Sequence, residues 1–221
     1  MIISPGRRYI FVHAPKTGGT SMALALEARA MKDDMMLGDT PKSRQRRRRL
    51  KDAATRGRLW KHSTLADIDG LLAPGLLEQM FVFTLVRNPW ARMVSYYHWL
   101  QVQQFAHPAV GLARRLSFAD FAQHPQITTS WRASPARHYV TDAAGQERCH
   151  AFVRLEHVQT DLAPVEAHLG FALTLPHLNQ SGAPQDWRSL YTPAARAAVT
   201  EACAEDIARF DYRFDEVARR S

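Results

Sequence analysis

Behind the short apolar run Tyr9-Ile10-Phe11-Val12 the chain breaks into Pro15-Lys16-Thr17-Gly18-Gly19-Thr20-Ser21. The run of β-branched and aromatic residues reads as a buried strand. The stretch 20–30, rich in alanine, leucine and methionine, reads as a helix. A strand that must enter a helix through lysine, two glycines and hydroxyls builds a cradle for an anion. Glycine admits positive φ and lets the backbone come close to a ligand. The N–H groups at the helix start point at the anion, with the helix dipole behind them. Lys16 adds a mobile cation, and Thr17, Thr20 and Ser21 add hydroxyls. The loop resembles a P-loop without being one. In the nucleotide-triphosphatase pattern the lysine follows the last glycine, and a hydroxyl for magnesium follows the lysine. Here the lysine comes first.

The segment Phe81-Val82-Phe83-Thr84-Leu85-Val86-Arg87-Asn88-Pro89-Trp90-Ala91-Arg92-Met93-Val94-Ser95 repeats the strand-to-helix logic. Its first six residues read as a buried parallel strand. Asn88 suits a helix N-cap, and Pro89 suits the first helical position. Asn88, Arg92 and Ser95 are spaced by four and three, so they share one helix face. Arg87 leaves the strand end beside them. An arginine with a serine hydroxyl suits a second phosphate, which the guanidinium can bind bidentately.

The two motifs in this order resemble those of the sulfotransferase superfamily. The resemblance implies a 5′-phosphosulfate-binding loop in the first and a 3′-phosphate-binding strand–helix in the second. The implied donor is 3′-phosphoadenosine 5′-phosphosulfate. Lys61-His62-Ser63-Thr64, Phe152-Val153-Arg154-Leu155-Glu156, Leu175-Pro176-His177-Leu178-Asn179-Gln180-Ser181 and the closing stretch Asp206 to Phe214 are similar to the branch of bacterial and carbohydrate sulfotransferases that includes heparan sulfate 2-O-sulfotransferase. From this resemblance the donor contacts fall on Pro15, Lys16, Thr17, Gly18, Gly19, Thr20, Ser21, Arg87 and Ser95. The catalytic roles fall on His62 and Lys16, and no metal ion is implied.

The length of 221 residues and the 46% hydrophobic content suit one domain, 1–221, with a basic insertion around 31–57. Strands are expected over 8–13, 59–61, 81–86 and 151–154. Helices are expected over 20–30, 64–72, 89–104, from Ser117, over 156–169, and from Pro193 to about Phe210. Strands alternating with helices mean an α/β fold: three layers, a central parallel sheet with helices on both faces, and ligands beyond the carboxyl ends of the strands. No run reaches the length of a membrane span, and no signal-peptide core follows Met1. Golgi-resident relatives carry an anchor, so a cytoplasmic, bacterial protein is expected. Cys149 and Cys203 are too few for a disulfide framework.

Sulfuryl transfer to a hydroxyl requires removal of the acceptor proton, for which a histidine is well matched at neutral pH. His62 ends an expected strand on the ligand side and matches the base position of the carbohydrate branch. On the residues alone, capping of the next helix or packing on Trp60 accounts for it more simply; the resemblance turns the reading to the base. Lys16 is expected on the sulfate and bridging oxygen. Arg92 is expected to support its helix face, Arg154 and Glu156 to pair, and Asp206 and Asp211 to anchor the fold. His13 is expected to pack beside the loop, and Asn179 and Ser181 to bind the nucleotide or brace their loop.

The basic run from Arg44 to Lys51 and the net charge of +8 point to anions. The run reads equally as a solvated face or mobile loop and as a lip that attracts an anionic acceptor or the donor. A lipid-linked sugar acceptor would add a membrane-surface role. Nucleic acid is disfavoured, because no reading motif accompanies the run. Two other functions compete with sulfuryl transfer: a non-catalytic polyanion-binding protein on the same fold, and a nucleotide-dependent phosphotransferase. The latter needs magnesium and a Walker-type lysine.

Overall fold

The computed structural model of the chain describes residues 1–176 and 186–215. In chain order they form β1 (Ile2–Ser4), β2 (Tyr9–Val12), α1 (Gly19–Ala28), β3 (Met35–Met36), α2 (Pro41–Arg47), β4 (Phe81–Val86), α3 (Pro89–Gln101), α4 (Pro108–Arg115), α5 (Phe118–Gln123), α6 (Pro125–Arg132), α7 (Ala136–Val140), β5 (Cys149–Arg154), α8 (Val158–Asp161), α9 (Ala163–Leu169), α10 (Pro193–Ala202) and α11 (Ala204–Phe210). These elements group into two compact units, 1–86 with 136–176 and 87–135 with 186–215.

The first unit is built on a five-stranded sheet in the order β3-β1-β2-β4-β5. Strands β2, β4 and β5 run parallel, with Val12 opposite Thr84 and Thr84 opposite Phe152. Strand β1 pairs antiparallel with both β2 and β3. The α/β class is as expected, but the sheet is mixed. The reason is the link between β1 and β2. A parallel crossover needs a dozen or more residues, and here the chain turns within Pro5 to Arg8. The Arg8 N–H donates to the Pro5 carbonyl at 3.2 Å, and Arg8 itself sits at φ 52°. A three-residue strand carries too little periodicity to be read beforehand.

Strand residues alternate between two buried faces, which is why the strands read as unbroken apolar runs. Tyr9, Phe11, Phe83, Leu85 and Val153 meet Met22 and Leu26 of α1 and Val165 and Leu169 of α9. Ile10, Val12 and Val82 meet Tyr139 and Val140 of α7, together with Leu65 and Ile68.

The stretch that carries Leu65 and Ile68 departs from expectation. Residues 59–61 form no strand, and 64–72 form turns in place of a helix. Ser63 competes locally for the backbone: its hydroxyl donates to the Arg58 carbonyl at 2.8 Å and accepts the Trp60 N–H at 2.9 Å. Thr64 and Asp67 do make the reciprocal bonds of a helix start, 2.7 and 3.1 Å. The helix does not propagate, because the carbonyls of Asp67 and Asp69 accept from Gly57 and Arg56, both at 3.0 Å. Gly70, at φ 89°, then turns the chain away.

The second unit is helical. Helix α3 packs on α4 and α10, and α10 packs on α5 and α6. Aromatic rings fill it: Tyr97 lies 5.2 Å from Phe121, and Phe118 4.8 Å from Tyr191. The Tyr191 hydroxyl donates to the Trp90 carbonyl at 3.0 Å. Two expected long helices are broken, one in each unit. Residues 156–169 split at Leu162, ahead of Pro164, which lacks the N–H to continue the ladder. Residues 193–210 break at Cys203, whose φ of −112° leaves the helical range.

Candidate active site

The turn after β2 has an unusual backbone. Lys16 sits at φ 63° and Gly18 at φ 86°. The left-handed region costs a side-chain-bearing residue about 1–2 kcal/mol, so surrounding contacts must hold Lys16 there. One is the Thr17 hydroxyl, which donates to the Ala14 carbonyl at 2.9 Å. Thr17 is buried, so this hydroxyl braces the turn. Both glycines are required by their neighbours. A Cβ on Gly18 would lie 2.8 Å from Leu155 Cδ1, and one on Gly19 would overlap the His13 ring.

Helix α1 starts at Gly19 with Gly18 as its cap, and no side chain caps its first turn. No acidic residue lies in that turn either. Its leading N–H groups and the positive end of its dipole are therefore available to an anion. Thr20 is exposed, and Pro15, Lys16 and Ser21 are half-buried around them.

Two histidines meet beside this turn. His13, 7% exposed, continues β2 and packs under Gly19. The His62 ring stands edge-on to it, with centroids 4.8 Å apart, and edge-on to Trp60 at 5.0 Å. His62 Nδ1 is 2.7 Å from the His13 carbonyl oxygen. A carbonyl only accepts, so Nδ1 carries the hydrogen and Nε2 of the neutral ring keeps its lone pair. Burial lowers the His62 pKa to about 4, against the opposing pull of the His13 carbonyl. Burial likewise holds His13 well below the ordinary histidine value. Both rings are neutral near pH 7. The match to neutral pH expected of a histidine gives way here to an ionisation in the acid range.

The next residue back, Lys61, pairs with Asp39 at 2.7 Å. The Lys61 ammonium, with Arg47 and Arg44 nearby, holds the Asp39 carboxyl below its usual range. Nothing in the sequence links Asp39 to this turn; the link exists only once β3 and the segment after it are placed.

In the second unit the strand-to-helix motif is organised differently. Asn88 Oδ1 accepts the N–H groups of Trp90 and Ala91 at 3.2 and 3.3 Å, as expected of an N-cap. Its Nδ2 donates to the Arg213 carbonyl at 3.0 Å, tying α3 to the closing stretch. Arg87 is half-buried and Ser95 is buried on α3. The Arg92 guanidinium lies over Trp131 at 4.8 Å, in keeping with support of the helix face.

Arg154, at the end of β5, is bound by Asp161 through two bonds of 2.8 and 3.1 Å. Asp206 is buried in α11, and Asp211 closes that helix at φ 50°. His177, Asn179 and Ser181 lie outside the described residues. Among the described residues no helix is long and apolar enough to cross a membrane.

A family model described as the sulfotransferase family matches residues 1–160. No curated protein sequence matches the chain. Among solved structures, mouse sulfotransferase SULT7A1 complexed with PAP is similar, at 17% identity and a TM-score of 0.47, over 98% of this chain and 88% of that one.

Proposed function

Because the chain belongs to the sulfotransferase family, we propose that it moves the sulfuryl group of 3′-phosphoadenosine 5′-phosphosulfate to a hydroxyl of a carbohydrate or glycoconjugate. In this reading the two units serve one sulfotransferase domain. The 5′-phosphosulfate binds the Pro15–Ser21 turn, through Lys16, the Gly18 and Gly19 backbone and the hydroxyls of Thr20 and Ser21. The 3′-phosphate binds Arg87 and Ser95.

His62 Nε2 takes the acceptor proton as the acceptor oxygen bonds to sulfur. The bond from sulfur to the 5′-phosphate oxygen breaks in line with it. Charge grows on that leaving oxygen, and Lys16 with the α1 amides stabilises it. These groups, with no metal ion, supply the positive charge in this reading. A cytoplasmic, bacterial setting belongs to the same proposal.

The observation that carries the reading is the meeting of two features at one turn. A histidine whose tautomer is fixed by the His13 carbonyl sits beside an uncapped helix start with a lysine. The test is thermal stabilisation by 3′-phosphoadenosine 5′-phosphate, a ligand that binds only the native state. Saturation at one hundred times Kd is expected to add about 2.7 kcal/mol. Adenosine 5′-phosphate, without the 3′ group, is expected to stabilise much less. Equal stabilisation by the two nucleotides would sink the assignment. Mass spectrometry of acceptors labelled from sulfur-labelled donor then identifies the hydroxyl.

A further inference from the structure

The basic segment after β3 is a built feature, anchored by a buried carboxylate. Glu27 of α1 is 5% exposed, and its oxygens accept the Thr40 hydroxyl at 2.7 Å and the Ser43 hydroxyl at 2.6 Å. Thr40 also caps α2, accepting the Ser43 N–H at 3.1 Å. The chain stays right-handed through a short 3₁₀ turn at Arg48–Leu50 to Lys51. Its cations then divide by face. Lys42 donates to the Glu27 carbonyl, Arg46 to those of Met31 and Asp34, and Arg49 to that of Lys32. Those three hold the segment down, as does Leu50, which packs on the core.

Arg44, Arg47, Arg48 and Lys51 follow the spacing i, i+3, i+4, i+7 and form one outer stripe. All four are exposed. Among the described residues none has a side-chain hydrogen bond or ion pair. The segment that carries the stripe also dominates the charge of the chain. Residues 29–62 hold twelve Lys and Arg against four Asp, a formal +8 that equals the net charge of all 221 residues. The remainder of the chain is balanced.

Two exposed apolar side chains belong to the same basic segment of the chain. Among the described residues of the first unit, the exposed large hydrophobic side chains are Met31 and Trp60, at 37% and 39%. The Met31 carbonyl accepts from Arg46. Trp60 is two residues from His62 and adjoins Lys61, whose partner Asp39 feels Arg44 and Arg47.

We propose that this face docks the protein on an anionic phospholipid surface, with the four outer cations among the headgroups and Trp60 and Met31 at the acyl boundary. Unneutralised cations beside exposed apolar tips are the combination that interfacial binding uses. A soluble polyanion has use for the charge and none for the tips. Docking brings the turn that holds His62 to the lipid surface, where a lipid-borne acceptor is presented. Vesicle binding itself is independent of the chemistry assigned to His62.

Cosedimentation with phosphatidylcholine vesicles, with and without phosphatidylserine, tests this at about 0.1 M salt, where the Debye length is about 10 Å. Binding is expected only with phosphatidylserine. It is expected to weaken roughly fivefold for each cation removed, hence by roughly 10²–10³-fold in Arg44→Gln/Arg47→Gln/Arg48→Gln/Lys51→Gln. That variant is expected to keep its response to 3′-phosphoadenosine 5′-phosphate, which certifies its fold. Trp60→Phe is expected to abolish a blue shift of tryptophan emission on vesicle binding. Absence of vesicle binding, equal binding by the quadruple variant, or binding of dextran sulfate without vesicle binding would each overturn the proposal.

Discussion

Two strand-to-helix junctions carry the proposed phosphate-binding motifs, and they treat the helix N-terminus in opposite ways. At α1 no side chain caps the helix, the cap position is a glycine at φ 86°, and the residue two before it is a strained lysine. At α3 Asn88 fills the same place with its own carboxamide oxygen, taking two of the leading N–H groups. The first junction leaves backbone donors for an anion. The second satisfies two of them internally, and the proposed 3′-phosphate contacts there are the side chains of Arg87 and Ser95. A bare N-terminus suits the group whose charge changes during transfer. A capped one suits a phosphate that is only held.

The sharpest way to break this contrast is at the histidine beside the open junction. His62→Ala is expected to lower kcat by roughly 10²–10⁴-fold while donor affinity, read by titration, stays unchanged. In the proposed mechanism neutral imidazole is the active form, so wild-type kcat/KM should rise with pH through about 4 and then level. Retained kcat in a folded, donor-binding variant would move the base elsewhere. The same ionisation affects stability. The folded pKa lies below the unfolded 6.5, so stability is complete above pH 6.5 and declines as pH falls toward about 4.

Gly19→Ala tests the open junction itself. The added methyl overlaps the His13 ring, so turn and histidine must separate. Loss of two charge-assisted contacts corresponds to about 10²-fold weaker donor binding, measurable by calorimetry. Unchanged affinity would mean that the turn does not hold the anion.

Arg87→Ala addresses the capped junction. It is expected to weaken 3′-phosphoadenosine 5′-phosphate by about 10–10²-fold and to leave adenosine 5′-phosphate unaffected. Equal losses for both nucleotides would remove the 3′ assignment. The smallest effect belongs to Asn88→Ala, where a lost cap is worth about 1 kcal/mol. Calorimetric melting should fall by about 2–4 °C for a chain of this size.

Both junctions were legible in the sequence, because glycine, asparagine and proline act there through local backbone rules. The segment 59–72 was not. Its Thr64–Asp67 pair is a genuine helix-start signal, overridden by bonds from Arg56 and Gly57 that no local pattern records. The order of the 41–51 segment was equally hidden, since it depends on Glu27, a residue that reads as an ordinary helix-surface carboxylate until Thr40 and Ser43 fold onto it. His62 was found through resemblance. Its tautomer and acid pKa come from the His13 carbonyl and burial, both set by tertiary contact. Strand β1 escaped because its three residues are too few to show alternation.

Backbone amide chemical shifts on titration with 3′-phosphoadenosine 5′-phosphate test the contrast between the junctions most directly. The Gly18, Gly19 and Thr20 amides are expected to move strongly as the 5′-phosphate enters the uncapped turn. The Trp90 and Ala91 amides, already bonded to Asn88, should stay near their starting positions. Large shifts at Trp90 and Ala91 with none at Gly19 and Thr20 would contradict the open cradle at α1.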